Sequence, residues 1–359
     1  MNGYNIIIPD VCAQGQPEVT LPVMDVLQSL GHTPVTMSMR SIHDMYRTMR
    51  YQRHGCYEIF QFYVQDMLKK GHVDFGFCAG LAVILEDAEK QETHHLLEEC
   101  SIPSMLYLHS RDHGVIDELK RVGAPDWKHT FLVVTSEYLA EMIRKAGIER
   151  VTAIPPGTSF RIFYPADDIP ENAAYRIIDN DERLTSGFDV SFIGSYGVRR
   201  AQCIQALVDA GIEVAVFGDE AWKDSPVFRQ WRNSVRYLHE VNTVYNSSKI
   251  NLDLPHDACL LSDYISYRVQ DCLAAGGFLL THRRPAIEQI LEPGHDIALY
   301  EDVDSLVKSV QYYLDNVDER TALTRKGRRR VQTEGGWERR MAQLLPQMEM
   351  HLLTAAPAR

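Results

Sequence analysis

The segment 267–281 constrains the fold more than any other part of the chain. Helix-forming residues run up to Ala275, the pair Gly276-Gly277 can take the positive φ that ends a helix, and the apolar residues 278–280 follow as a short strand. An apolar run of this kind is typical of a parallel strand that is buried on both faces of its sheet. The segment therefore predicts a helix-to-strand unit of a parallel α/β domain.

Two aspartates lie at the front of this unit. Asp263 follows Ser262, a residue suited to N-capping, and Asp271 comes eight residues after Asp263. At about 100° per helical residue the two carboxylates stand roughly 80° apart, so both can border one crevice. Carboxylates accept paired hydrogen bonds from vicinal sugar hydroxyls, and a helix N-terminus attracts a diphosphate. The spacing therefore predicts a nucleotide-sugar site.

Apolar strand patterns alternate with helical patterns along the chain, which is typical of doubly wound parallel α/β architecture. In the first half the sequence predicts strands at 5–8, 34–37, 74–78, 104–109, 130–135 and 151–154. The helices predicted between them lie at 19–30, 57–70, 86–100, 115–122 and 137–146. In the second half it predicts strands at 189–193, 213–217, 236–238, 250–254, 278–281 and 298–300.

A break in this alternation divides the chain. Turn residues at 155–157 and 164–165 precede a polar stretch that has no convincing periodicity. We therefore expect an N-terminal domain at 1–165, a linker at 166–186 and a second domain at 187–335. A length of 359 residues also favours two domains that each bury a core.

Several short blocks follow one another in the second half of the chain. They are Val190-Ser191-Phe192-Ile193-Gly194 with Arg199-Arg200, Val216-Phe217-Gly218, and the segments 248–252, 268–277, 293–296 and 337–340. Over about residues 186–345 the chain thereby resembles the glycosyltransferases of the YkvP/CgeB type. The resemblance implies a GT-B fold, in which two doubly wound Rossmann-like domains face a central cleft and the last helix, here 336–359, returns toward the first domain. Many retaining enzymes of this kind carry two glutamates where this chain has Asp263 and Asp271.

Residues at the carboxyl ends of the predicted strands are candidates for binding the donor, because sites of parallel sheets form there. Gly194 opens a turn that allows close backbone approach, and Arg200 is the better match to the arginine with which the family contacts the diphosphate. The resemblance places the nucleobase and ribose around the ends of the second and third strands of this domain, near Gly218-Asp219 and Tyr237. An ordinary strand-to-helix turn and a half-buried strand tyrosine are the structural alternatives. The complete set of donor-side candidates is Gly194, Arg199, Arg200, Gly218, Tyr237, His239, His256, Asp263 and Asp271.

The loop 108–114 is the candidate catalytic segment, because an acceptor would bind the first domain. The loop contains His109, Asp112 and His113. Histidine exchanges a proton near neutral pH, and a nearby carboxylate orients the ring or accepts a proton itself. We expect His109 or Asp112 to act at the anomeric carbon, with a polar turn as the alternative and Asp10 as a second candidate base. We expect no metal or other cofactor, because GT-B enzymes usually balance the leaving diphosphate with arginines and helix N-termini.

The formal charge of −12 argues against a general nucleic-acid surface. The basic run at 325–330 is interpreted as a solvated helix face. The alternative is a patch that contacts anionic lipid or a charged glycan. Seven cysteines without a CxxC pair indicate reduced thiols and a cytoplasmic location. The sequence starts without a cleavable apolar leader, and no stretch approaches the roughly 20 apolar residues of a membrane span.

These features together predict a cytoplasmic, metal-independent glycosyltransferase. It would move a sugar from a nucleoside-diphosphate donor to a glycan, protein or small-molecule acceptor, with retention of configuration favoured over inversion. A nucleotide-sugar epimerase would use the same fold and donor pocket. A non-catalytic nucleotide-sugar-binding or coat-assembly protein would bind the donor without turnover. The sequence leaves the sugar, the base, the acceptor and the oligomeric state open.

Overall fold

The structure is a computed structural model that describes residues 3–10, 17–38, 62, 65–79, 98, 101–108, 114–121, 123–174, 182–235, 238–261 and 263–355. The chain divides into two compact units, which are Met1–Pro155 together with Trp337–Arg359, and Pro156–Gly336. Each unit is built on a parallel sheet. The predicted fold class, two doubly wound α/β units, is confirmed.

The first unit contains the strands β1 Asn5–Asp10, β2 Thr33–Ser38, β3 Phe75–Ala79, β4 Ser104–Leu108, β5 Thr130–Val134 and β6 Val151–Ala153. They pair in parallel in the order β2-β1-β3-β4-β5-β6, with Leu106 opposite Leu132. Its first helices are α1 Pro17–Ser29, α2 Gly114–Arg121 and α3 Glu137–Lys145, and a 3₁₀ turn lies at Ala124–Asp126. Every residue of β4 is buried, which explains why the central strands appear as continuous apolar runs in the sequence. Of the helix predicted at 57–70, residues 62 and 65–69 are helical, and residues 57–61 and 63–64 lie outside the described residues. In the helix predicted at 86–100, only residue 98 is described.

The second unit contains the strands β7 Phe188–Ile193, β8 Val214–Phe217, β9 Trp231–Asn233, β10 Ser248–Asp253, β11 Leu279–His282 and β12 Ala298–Tyr300. They pair in parallel in the order β12-β11-β10-β7-β8-β9, which is the order of a Rossmann sheet. Its helices are α4 Glu182–Thr185, α5 Val198–Asp209, α6 Leu238–Ser247, α7 Asp257–Leu261, α8 Tyr267–Ala274, α9 Pro285–Glu288, α10 Val303–Asp315 and α11 Val317–Glu334. Short 3₁₀ turns lie at Glu220–Asp224 and Phe228–Gln230.

The strand predicted at 236–238 differs from the structure at its described residue, because Leu238 begins α6 and residues 236–237 lie outside the described residues. The strand β9 occupies Trp231–Asn233. The edge strand β9 is three residues long and contains one apolar side chain, Trp231. An edge strand of that kind shows no apolar run, so its sequence gave no strand signal.

The segment that opened the sequence analysis forms the predicted helix, glycine stop and strand. Helix α8 ends at Ala274, and Gly276 follows with a φ of 75°. The predicted start is wrong, because Ser266 is the N-cap and its hydroxyl accepts a hydrogen bond from the Arg268 N–H at 3.3 Å. Asp263 lies before the helix at a φ of 50°. Asp263 and Asp271 therefore do not lie on one helix, contrary to the prediction from their spacing.

The last helix, α12 Trp337–Ala355, belongs to the first unit. Its Trp337 is fully buried and packs edge-to-face against Tyr107, with 5.5 Å between the ring centroids. The Tyr4 hydroxyl donates to the Glu349 carboxylate at 3.1 Å. These contacts join the two ends of α12 to β4 and to the residue before β1 in its own unit. Within the described ranges, no helix combines the length and the apolar character needed to cross a membrane.

Candidate functional site

The carboxyl edge of the second sheet gathers buried charged side chains at its switch point. The switch point lies between β7 and β10, the neighbouring strands from which the chain continues toward opposite edges of the sheet. Asp253 is the last residue of β10, Ile193 is the last residue of β7, and Thr281 is the third residue of β11. In open α/β sheets, ligands bind in the crevice at this position.

Asp253 is the centre of this edge and is 1% exposed. Its Oδ1 lies 2.6 Å from Nη1 of Arg268, and its Oδ2 lies 2.8 Å from Nη2 of Arg284. The Thr281 hydroxyl donates to Oδ2 at 2.7 Å. Burial by itself would raise the pKa of Asp253, but Arg284, Arg268 and Thr281 favour the charged form and hold the pKa below its ordinary value of 3.8. These four residues form the Asp253 cluster, and its carboxylate is charged at neutral pH.

The two arginines also connect the cluster to the surrounding backbone. Nη2 of Arg268 donates to the Ile193 carbonyl at 2.5 Å, and Nη1 of Arg284 donates to the Tyr264 carbonyl. Arg268 belongs to the first turn of α8, and Arg284 is the N-cap of α9. The cluster therefore holds two helix starts against the ends of β7, β10 and β11.

The Asp253 cluster contains one more positive than negative charge, because two guanidinium groups share one carboxylate. Arg284 is 3% exposed, and the Nε–H groups of both Arg268 and Arg284 are buried without a hydrogen-bond partner among the described residues. Buried charge is costly unless it is compensated. An anion at this edge would supply both the missing negative charge and acceptors for hydrogen bonds.

A third buried arginine, Arg200, lies beside the cluster. Its Nε donates to the Leu254 carbonyl at 2.8 Å, and its Nη1 donates to the carbonyl and hydroxyl oxygens of Ser195 at 2.9 and 3.0 Å. The guanidinium carbons of Arg200 and Arg268 each lie 5.5 Å from the ring centroid of Phe192. The Phe192 ring thus stabilises two cations at the same edge by cation–π contact.

Gly194 and Gly218 follow β7 and β8 and lie in direct contact. A Cβ on Gly218 would overlap the Gly194 carbonyl oxygen, and a Cβ on Gly194 would lie 2.7 Å from the Phe192 ring. The indole Nε1 of Trp222 donates to the same Gly194 carbonyl at 2.9 Å. Both glycines are therefore required for close packing at the strand ends. They line an open pocket of about 410 Å³, together with Ile193, Ser195, Phe217, Asp219, Glu220, Ser234 and Val235.

The two aspartates that the sequence singled out make structural hydrogen bonds. Asp271 is 6% exposed, and its Oδ1 accepts from the Thr158 hydroxyl at 2.7 Å. Both carboxylate oxygens of Asp263 accept from the Ala286 N–H, at 3.1 and 3.0 Å, so Asp263 caps the first turn of α9. Burial raises the pKa of Asp263, against the opposing effects of the Ala286 N–H and Arg284. The two carboxylates thus support different elements of the unit.

The remaining predicted residues lie at different places. Arg199 lies in the first turn of α5 and forms a long, exposed ion pair with Asp257, at 3.9 Å. His256 is exposed and lies next to Gly197, whose Cβ position is 3.7 Å from its ring. His239 is the second residue of α6, the helix that comes after β9 in the chain. Three predicted residues, His109, Asp112 and Tyr237, lie outside the described residues.

Among the described residues, no group of three or more His, Cys, Asp or Glu side chains is arranged to hold a metal ion. The backbone of Asp10 ends β1, as the sequence predicts for a strand-end residue. From the sequence alone no role was predicted for Asp253 or Arg284, and Arg268 was named only as the start of the segment 268–277.

We expect Asp253→Asn to lower the free energy of unfolding by about 3–5 kcal/mol at pH 7, because the change leaves two buried guanidinium groups without their carboxylate. Denaturant unfolding would measure the loss. Asp189→Asn is the matched control, since Asp189 pairs with Lys249 at the exposed amino end of the same sheet and should change stability by less than about 1 kcal/mol. Equal effects of the two substitutions would contradict the central position of Asp253.

The difference in the free energy of unfolding between the wild type and Asp253→Asn should depend on pH. The folded state lowers the pKa of Asp253, so the stability from this carboxylate is fully present above the ordinary value of 3.8 and is lost as the pH falls through the lowered folded value. The difference between the wild type and Asp253→Asn should therefore be constant from neutral pH down to about pH 4. Below that range it should shrink. A difference that already disappears near pH 6 would contradict the assignment.

Comparison with known proteins bears on the family and the fold of the chain. The family model described as "Glycosyl transferase-like" matches residues 199–346. No curated protein matches the chain. A solved glycosyltransferase from Rickettsia africae is 13% identical, with a TM-score of 0.66 over 98% of this chain and 99% of that chain.

Two further solved structures have the same architecture. Sucrose-phosphate synthase from Thermosynechococcus elongatus is 13% identical, with a TM-score of 0.62 over 98% of this chain and 100% of that chain. Anabaena HepE, solved in complex with UDP-glucose, is 9% identical, with a TM-score of 0.64 over 96% of this chain and 100% of that chain. The chain therefore has the GT-B fold, and the segment that contains the Asp253 cluster matches a glycosyltransferase family.

Proposed function

We propose that the protein is a glycosyltransferase that uses a nucleoside-diphosphate sugar as its donor. The observation that carries the proposal is the excess of buried positive charge in the Asp253 cluster at the switch point of the second sheet. A diphosphate supplies the negative charge that this edge lacks, and a Rossmann-type switch point is where such a group binds. The GT-B fold and the glycosyltransferase family match support the same reading.

Glycosyl transfer needs charge stabilisation at this place. As the bond from the anomeric carbon to the diphosphate breaks, negative charge grows on the leaving phosphate oxygen. Guanidinium groups that are already held in place stabilise that charge without reorganisation at the moment of reaction. Arg200 and Arg268 are held by carbonyls, by Ser195 and by the Phe192 ring, so this edge is preorganised. We therefore extend the proposal to transfer without a divalent metal. We also propose that retention is favoured over inversion, which is what the family resemblance implies.

The direct test is transfer in the presence of EDTA. The protein is incubated with UDP-, GDP- and ADP-sugars, first alone and then with glycan, peptide and small-molecule acceptors. We expect release of nucleoside diphosphate together with a glycosylated acceptor, and NMR of the product would give the anomeric configuration. A donor whose sugar changes without transfer would identify an epimerase. Binding without any turnover would identify a nucleotide-sugar-binding protein, and recovery of activity with manganese alone would contradict metal independence.

Measurements of nucleotide affinity test the role of the arginines at the carboxyl edge of the second sheet. We expect Arg200→Ala to weaken the binding of the nucleoside diphosphate by about 10- to 100-fold, since hydrogen bonds to a charged group contribute about 1.5–3 kcal/mol. Binding of the free nucleoside should change little. Lys249→Ala is the matched control, because it removes one cation from the amino end of β10 and should leave both affinities unchanged. Calorimetry that shows an equal loss for nucleoside and diphosphate would place the diphosphate elsewhere.

The catalytic roles of His109 and Asp112 remain proposals from the sequence. A positioned group that transfers a proton contributes about 10²–10⁴-fold in rate. We expect His109→Ala or Asp112→Asn to lower the rate of transfer by that factor, while nucleotide affinity measured in parallel stays near the wild-type value. If both variants keep near-normal rates, the base must be sought elsewhere, beginning with Asp10.

A further inference from the structure

We infer that the outward side of α11 is a docking surface for an anionic phospholipid membrane. Its cations are Arg325, Lys326 and Arg329, which together form the α11 basic face. All three side chains are exposed, and none of them forms a hydrogen bond or an ion pair with a described residue. The whole chain has a formal charge of −12, so this face is opposite in sign to the overall charge of the protein.

The buried side of α11 determines where these side chains point. Leu323, Gly327 and Val331 are the buried residues of the helix, and they repeat at every fourth position. At about 100° per residue, Arg325 and Arg329 lie about 160° from the buried residues two positions before and after them. The two arginines are about 6 Å apart along the helix axis. The cations are therefore concentrated within little more than one turn, on the side that faces solvent.

The other two basic residues of this run have acidic partners. Nη2 of Arg328 lies 2.7 Å from Oδ2 of Asp168, and Nη1 of Arg330 lies 2.9 Å from Oε1 of Glu334. These carboxylates compensate the flanks of the run. The α11 basic face keeps three positive charges that no described carboxylate pairs with.

The stability of the helix does not explain the α11 basic face. Arg325 and Arg329 are four residues apart, as are Lys326 and Arg330, and like charges at this spacing destabilise a helix. Cations near a helix C-terminus interact favourably with the helix dipole, but this effect is confined to the last turn. The last turn of α11 contains no basic residue. An external anionic partner would offset the repulsion that the helix itself leaves uncompensated.

The composition of the surface fits phospholipid headgroups. The planar guanidinium group binds phosphate oxygens through two parallel N–H groups, and two of the three cations are arginines. One flank of the face also exposes apolar side chains. Val317 is 52% exposed and lies about 20° from Arg328 around the helix axis, and Ile169, which follows the Arg328 partner Asp168, is 41% exposed. Cations beside exposed apolar side chains are typical of surfaces that lie on membranes, whereas a soluble polyanion offers the apolar groups no contact.

The test is binding of the full chain to lipid vesicles, measured by co-sedimentation at low salt. Vesicles of phosphatidylcholine alone are compared with vesicles that also contain phosphatidylglycerol. Each cation near an anionic surface contributes about fivefold in affinity, so we expect the wild type to bind the anionic vesicles about 100-fold more tightly than the neutral ones. The preference should fall as salt is added. The variant that combines Arg325→Gln, Lys326→Gln and Arg329→Gln should keep a preference of less than about threefold, and Arg329→Gln alone should lose about fivefold.

The matched control combines Lys120→Gln, Lys145→Gln and Arg150→Gln. It removes three exposed cations from the first unit and changes the net charge of the chain by the same amount. We expect this control to bind anionic vesicles as the wild type does. A wild type that binds both kinds of vesicle equally overturns the inference, and so does an equal loss of binding in the two triple variants.

Thermal unfolding shows whether the three cations serve the fold instead. The basic-face variant should unfold at the wild-type temperature or above it, because the substitutions remove like-charge repulsion. A lower unfolding temperature would overturn the inference.

Polygalacturonate, a soluble acidic polysaccharide, distinguishes a membrane from a charged glycan. At an equal concentration of negative charge, we expect the wild type to bind it more weakly than it binds anionic vesicles, because it has neither phosphates nor a surface for the apolar flank. Binding to polygalacturonate that needs the basic face, without binding to vesicles, would assign the face to a glycan and overturn the membrane partner. None of these measurements uses a nucleotide, so their outcome is independent of the proposed glycosyltransferase activity.

Discussion

The buried carboxylate of Asp253 is the constraint on which the functional edge depends. Its two oxygens hold Arg268 at the start of α8 and Arg284 at the start of α9, and each arginine then reaches a backbone carbonyl of another segment. Well-packed apolar side chains often stabilise a fold as much as a buried ion cluster does. Stability alone therefore does not explain the cluster. An apolar replacement would remove the guanidinium groups that give this edge its charge.

The strand order makes such a cluster possible. Strands β7, β10 and β11 are neighbours, so the Ile193 carbonyl, the Asp253 carboxylate and the Thr281 hydroxyl lie within reach of two arginine side chains. A sheet with its switch point elsewhere would separate these groups by further strands at about 4.8 Å each. The fold thus concentrates positive charge at the carboxyl edge of the second sheet, and the same contacts contribute to the stability of the unit.

The central strands could be predicted because both of their faces are buried, and such strands appear as apolar runs in the sequence. The glycine that follows α8 at a positive φ could also be predicted. It missed Asp253 because the partners Arg268 and Arg284 lie 15 and 31 residues away, and no local pattern reports a pair at such distances. A weaker signal was present, since one acid interrupts the apolar run at 250–254. The reading of Asp263 failed for a local reason: a residue at a φ of 50° stands outside the helix on which the spacing argument relied.

Along the carboxyl edge of the second sheet, positively and negatively charged side chains lie at the ends of different strands. The arginines lie at β7, β10 and β11, and the exposed carboxylate of Asp219 lies at β8. Neighbouring strands are about 4.8 Å apart, so the ends of β10 and β8 are separated by about 10 Å. A nucleotide sugar has the same polarity over a comparable length, because its diphosphate is anionic and its ribose presents hydroxyl donors. A donor bound as we propose has its diphosphate on the side of β10 and β11, because at β8 the diphosphate would face the carboxylate of Asp219. Hydroxyl groups both donate and accept hydrogen bonds, so the diphosphate is the part of the proposed donor whose position the charges determine.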